Sequence, residues 1–219
     1  MSVSARDHIL ARIRAAQGKP AVADAAEREP VRAHLAAHAS GPRPRIAGGS
    51  GAQFAARALA LSSTLDTVST VSDVPRAVGE FLKRNALPLT GVCWPEFVGL
   101  DWAAAGLKIE ARAIRDGDLV GITGAFCAIA ETGTLMLVSG PHTPAAASLL
   151  PETHIALVRA ERIVTGMEDG WRLLRAELPV MPRAVNFISG PSRTADIEQT
   201  VTLGAHGPYR VHIIVIDGG

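Results

Sequence analysis

Aromatic residues are scarce in this chain of 219 residues: they make up 4% of it, against 47% for apolar residues as a whole. A core filled by Ala, Val, Leu and Ile suits α/β layers better than an aromatic-rich β-sandwich. Cysteine is nearly absent as well. Cys93 and Cys127 are the two thiols, and they show no C-x-x-C spacing. A conventional iron–sulfur cluster takes about four thiolates, so none is expected in this chain, nor a structural zinc site. One disulfide is possible on paper, but the plainer reading is two small buried hydrophobes. Charge of one sign is missing too, since 22 Lys and Arg face 21 Asp and Glu. A nucleic-acid binder concentrates its bases on one face. The nearest thing here is the Pro/Gly-rich "GPRPRIAG", with Arg43 and Arg45, and no nucleic-acid partner is expected. No apolar run reaches membrane-spanning length. The start, "MSVSARDHILARIRAA", is charged from Arg6 onward and lacks the apolar stretch of a signal peptide. A cytoplasmic protein without a membrane span is the expectation.

Several catalytic signatures are missing as well. No G-x-G-x-x-G follows a strand, and no G-x-x-x-x-G-K-[ST] is present, which removes the fingerprints of dinucleotide and P-loop sites. Neither H-E-x-x-H nor G-x-S-x-G occurs, so metal hydrolysis and serine hydrolysis have no support. No repeat of fixed period is seen.

What is present divides at about residue 50. Ser4, with Asp7 three positions on, marks the start of a first helix, and Gly18-Lys19-Pro20 ends it. Residues 1–50 read as a helical N-terminal arm and linker, and residues 51–219 as an α/β domain. In that domain "QFAARALALSS", "SDVPRAVGEFLKRNAL" and "MEDGWRLLRAEL" read as helices. Ser72 or Asp73 would cap the second of these, with Pro75 in its first turn. "STLDTVSTV", "TGVCW", "LKIEARAI", "DLVGIT", "LMLVS", "HIALVRAERIV", "AVNFIS" and "YRVHIIVID" read as strands, several of them apolar throughout. Alternating strands and helices with buried strands predict a mostly parallel sheet with helices on both faces.

Three polar, glycine-marked stretches abut these strands: "AETGT" (130–134), "SGPSRTADIE" (189–198) and "GAHGP" (204–208). Ligands of open α/β sheets bind outside the carboxyl ends of strands, which makes such loops candidates. "AETGT" reads either as a tight turn around Gly133 or as an anion cradle of backbone amides and hydroxyls, with Glu131 as a proton acceptor. In the second stretch Ser192 or Thr194 would cap a helix that Asp196 and Glu198 enter. Arg193 beside free helix amides would then clamp an anion. In the third, His206 stands between Gly204 and Gly207-Pro208, as either a surface residue or a proton acceptor. His142, in "GPHTP", is a weaker case of the same kind.

Taken together, "AIAETGTLML", "LLPETHIALVRAERIV" and "SGPSRTADIEQTVTLGAHGP" resemble the lactate-utilisation (LUD) domain family over about residues 55–217. The resemblance is closest to the small C-type members of bacterial lactate-utilisation operons. It implies a fold similar to the sugar-phosphate isomerase and CoA-transferase superfamily. It also implies a role in oxidising L-lactate to pyruvate beside iron–sulfur partner proteins, with the clusters held in those partners and no cofactor in this chain. Under that reading Glu131 and His206 are the catalytic candidates. Thr132, Gly133, Thr134, Ser192, Arg193, Thr194 and Asp196 would line a polar cleft for a small carboxylate or a partner. Two alternatives stay open: a free-standing CoA-transferase-like or isomerase-like enzyme with Glu131 as nucleophile or base, and a non-catalytic interaction module.

Overall fold

Most of the strongly apolar runs become strands of two packed sheets. The computed structural model describes residues 4–20, 22–39, 41–42, 49–195 and 201–218. The chain forms two compact units, Met1–Arg43 and Pro44–Gly219. In the first unit, Ser4 caps helix α1 (Ala5–Ala16) by accepting the Asp7 amide, and Asp24 caps α2 (Ala25–Ala37) by accepting that of Glu27. Arg14 and Lys19 hold the two helices together through Glu27, at 2.6 and 2.9 Å. Neither helix buries a residue.

The second unit opens with α3 (Ser50–Ala60), which buries Phe54 and Ala58. The large sheet contains β1 (Thr64–Val68), β2 (Thr90–Cys93), β3 (Lys108–Glu110), β4 (Val120–Gly124), β7 (Thr153–Arg159) and β12 (Arg210–Ile216). Its order is β1-β12-β7-β4-β2-β3, with every neighbouring pair parallel. The mostly parallel α/β fold expected from the sequence is therefore present. The small sheet contains β5 (Cys127–Ile129), β6 (Thr134–Val138), β8 (Ile163–Val164) and β9 (Val185–Ile188), in the order β8-β5-β6-β9. A hairpin of β10 (Arg193–Ala195) and β11 (Val201–Leu203) completes the strands.

Alternation along the strands explains the layers. On one face of the large sheet Ile122, Ile155, Leu157, Ile214 and Ile216 meet Val74, Val78, Phe81 and Leu82 of α4 (Val74–Arg84). Of Ser72 and Asp73, Asp73 takes the N-cap position of α4 without a side-chain bond to that helix, and it accepts the Thr70 amide at the start of the preceding 3-10 turn Val71–Asp73. On the other face Ala156, Val158, Val211 and Ile213 meet α3, Ala147 of α5 (Ala146–Leu149), and the inward residues of the small sheet, Ala128, Leu135 and Leu137. The outward residues Cys127, Ile129 and Met136 pack on Leu174 of α6 (Met167–Glu177). Gly170 permits that close packing, because a Cβ there would stand 3.2 Å from Met136 Sδ.

One local expectation is overturned. Arg193–Ala195 is a strand paired with Val201–Leu203, so Ser192 and Thr194 do not cap a helix. Cross-strand pairing outweighs the short-range preference of Ser, Thr and acidic residues for a helix start. Asp196 lies outside the described residues.

Candidate functional site

The loops singled out in the sequence converge around the C-terminal end of α3. Residues 130–133 turn the hairpin between β5 and β6, whose register pairs Ile129 with Thr134. Gly133 has φ +68°, and a Cβ on it would stand 2.5 Å from the Ala58 amide nitrogen. Only glycine combines that backbone geometry with so close an approach to α3. Gly190 has φ +79° and abuts the Leu61 carbonyl, one residue past the end of the same helix. Hydroxyls join the two loops: Thr132 Oγ1 donates to Thr134 Oγ1 at 2.7 Å, and Thr134 Oγ1 lies 2.7 Å from Ser189 Oγ. Arg193 donates to Ser62 Oγ. The third stretch adjoins them through its backbone, since the Ser192 amide donates to Pro208 O and the Gly204 amide to Ser192 O, at 2.9 and 3.0 Å.

This arrangement limits what the loops can do. The Glu131 amide is committed to Thr165 O and the Gly133 amide to Ile129 O, each at 2.9 Å. Polar contacts to a ligand would fall to the hydroxyls and Arg193 rather than to a full cradle of amides. Arg193 also lacks the helix amides that the sequence argument placed beside it. Glu131 Oε2 stands by Gly166, where α6 begins, and an acid there suits the positive helix end. His206 is exposed, and Thr194 is half-buried opposite Thr202. The loops gather where β1 and β12 begin, at the amino edge of the large sheet. "AVNFI" does not feed a carboxyl-edge loop of that sheet, because it belongs to the antiparallel part of the small one.

Other polar groups escaped the sequence reading. Glu96 and Arg159 line a cleft at the carboxyl edge of the large sheet. The signal was present in "CWPEF", an acid fixed by a proline directly after a strand. His154 and His212 are fully buried inside apolar strands. His154 Nε2 lies 2.8 Å from Thr123 Oγ1, and His212 Nδ1 lies 2.8 Å from Thr64 Oγ1. His212 also stacks on Phe81 with ring centroids 3.8 Å apart. Burial holds His154 down at about 3. For His212 burial is again the main cause, opposed by Asp66 and reinforced by Arg84, and the value is about 4. Both rings are therefore neutral near pH 7. Among the described residues no group of three or more His, Cys, Asp or Glu is placed to hold a metal ion. Among them, too, no helix is long and apolar enough to cross a membrane.

A model of the LUD domain matches residues 95–216, more than half of the chain. The chain belongs to the LUD domain family. The matched span of this LUD domain contains the three polar stretches and both edge-cleft residues, and it meets the resemblance read from the sequence. The chain is 39% identical over 142 residues to Lactate utilization protein C of Shouchella clausii, covering 64% of this chain and 56% of that protein. It is 34% identical over 130 residues to Lactate utilization protein C of Bacillus licheniformis, covering 57% and 53%. The matches thus span about half the length of these curated relatives. Among solved structures, a DUF162 family protein from Deinococcus radiodurans superposes with a TM-score of 0.59. At 24% identity over 79% of this chain and 99% of that one, it supports the α/β fold alone.

Proposed function

We propose that this LUD domain serves in L-lactate utilisation, as a component of a system that oxidises L-lactate to pyruvate with iron–sulfur partner proteins. The observation that carries this reading is the similarity to two proteins named Lactate utilization protein C. Converting the C2 alcohol of lactate to a ketone removes two protons and two electrons, and the electrons need an acceptor. The thiols of this chain are poor candidates for holding one. Cys93 and Cys127 lie in different sheets, and burial pushes both up to about 11. Electron-carrying clusters therefore belong to the partners in this reading, and the present chain supplies binding and proton handling.

The small carboxylate is assigned to the loops around α3. Arg193 and the hydroxyl of exposed Thr132 would contact it, with buried Thr134 holding the Thr132 hydroxyl from behind and Ser192 and Thr194 flanking Arg193 where the loop enters its strand. His206, exposed beside that loop, would accept the hydroxyl proton, and Glu131 would orient or relay it. The test is Arg193→Ala. Loss of a charge-assisted hydrogen bond should weaken carboxylate binding by about 1.5–3 kcal/mol. Growth on L-lactate should slow when the variant replaces the natural chain. Unchanged growth would remove the anion role of Arg193.

A further inference from the structure

The carboxyl edge of the large sheet carries a second place for a ligand, built from different residues. Strand β2 leaves through Trp94-Pro95-Glu96 toward the α4 face, where Leu100 and Trp102 join the first core. Strand β4, its neighbour, leaves toward the small sheet. The Ala125 amide still donates to Leu157 O of the large sheet, whereas the Phe126 amide donates to Met136 O of the small one, both at 2.8 Å. Adjacent strands whose exits part toward opposite faces leave a crevice between them, the position where open α/β sheets take their ligands.

Here the crevice is a cleft of about 350 Å³ whose lining includes Glu96, Phe97, Gly124, Leu157, Arg159 and Ile216. It shares Glu96, Gly124, Ala125 and Phe126 with an apolar groove of about 430 Å³ that continues past Trp94, Val138, Leu178 and Val180. Each volume is of the size small-molecule sites occupy.

The charged groups at the junction are unequal. Arg162 is committed: it grips Glu177 with two bonds of 2.5 and 2.9 Å and donates to Phe126 O at 2.8 Å. Arg159, at the end of β7, is exposed, acts on Glu96 through space, and makes no ion pair within 4 Å among the described residues. Glu96 reaches over Gly124, where a Cβ would fall 2.5 Å from its Oε1. Glu96 as a residue is exposed, but its carboxyl end is partly covered there, which raises it above the usual range, with Arg159 opposing. An open cation, a partly desolvated carboxyl and an adjoining apolar groove describe a ligand with a carboxylate, a neighbouring hydrogen-bond donor and an aliphatic tail.

We propose that this carboxyl-edge cleft binds a small organic acid, its carboxylate on Arg159, a hydroxyl beside that carboxylate facing Glu96, and its tail in the Trp94–Leu178 groove. The site does not depend on the lactate reading. Calorimetric titration of the full chain with acetate, hexanoate, hexanol and 2-hydroxyhexanoate tests it. Hexanoate should bind more tightly than acetate or hexanol, and 2-hydroxyhexanoate more tightly than hexanoate. Arg159→Ala should weaken hexanoate about tenfold or more, the worth of one charge-assisted contact. Glu96→Ala should erase the preference for the hydroxy acid. Gly124→Ala should do the same with unchanged thermal unfolding, because its new Cβ meets a movable carboxylate end and one ring edge. No acid binding by the natural chain, or equal hexanoate affinity in Arg159→Ala, would overturn the proposal.

Discussion

Lowering the pH from 7 to 5 should remove several kcal/mol of stability, because two histidines are buried in their neutral form. Burial holds His154 down at about 3 and His212 at about 4, against about 6.5 in an unfolded chain. The folded values are depressed, so the contribution is fully present above pH ~6.5 and is lost as pH falls toward the folded values. Each unit of separation is worth about 1.36 kcal/mol per group. At pH 5 the unfolded chain is about 1.5 units below its histidine value, while both folded rings remain neutral. The loss is then about 2 kcal/mol per ring and about 4 kcal/mol for both. Against a total of about 5–15 kcal/mol for an ordinary domain, that is a large share. Urea unfolding followed by tryptophan fluorescence at pH 7 and pH 5 reads it directly. The double variant Thr123→Val with His154→Leu removes both members of the 2.8 Å pair and leaves neither polar atom orphaned. Its loss between pH 7 and 5 should be smaller than that of the natural chain by about 2 kcal/mol. Equal losses in the two proteins would refute the buried neutral state of His154.

Gly133→Ala should destabilise the fold by on the order of 2 kcal/mol or more, since it combines a left-handed backbone with a Cβ driven into α3. A melting temperature unchanged from the natural chain would contradict the close packing of the 130–133 turn. Limited proteolysis should cut first within "ASGPRPRIAGGSG", the Pro/Gly-rich sequence between the N-terminal helices and α3. First cleavage inside residues 120–200 would contradict an arm separable from the α/β domain.

The sheet-forming runs were legible because buried strands announce themselves by continuous apolar composition. "DLVGIT", "HIALVR" and "YRVHIIVID" all fall in the large sheet as its central strands. What the runs do not encode is which sheet receives them. "LMLVS" and "AVNFIS" are also mostly apolar, yet they pair with each other antiparallel in the small sheet. Strand β5 was missed because "CAI" is too short to show a period. The α3-centred loops were recognised by their glycines, and Gly133 and Gly190 do sit where no side chain fits. The chemistry attached to them was harder to read. Whether an amide is free depends on partners far along the chain, as the Glu131 amide on Thr165 O illustrates. Glu96 and Arg159 lie 63 positions apart, and only the adjacency of β4 to both β2 and β7 brings the ends of their strands together. His154 and His212 were hidden by their apolar neighbours, for a neutral buried histidine in a strand reads like any other core residue.

Growth of the source organism after deletion of this gene tests the proposed role in L-lactate utilisation most directly. With L-lactate as sole carbon source the deletion strain should fail to grow or grow much more slowly. On glucose it should match its parent, and a plasmid copy of the natural chain should restore growth on L-lactate. Normal growth of the deletion strain on L-lactate would contradict the account.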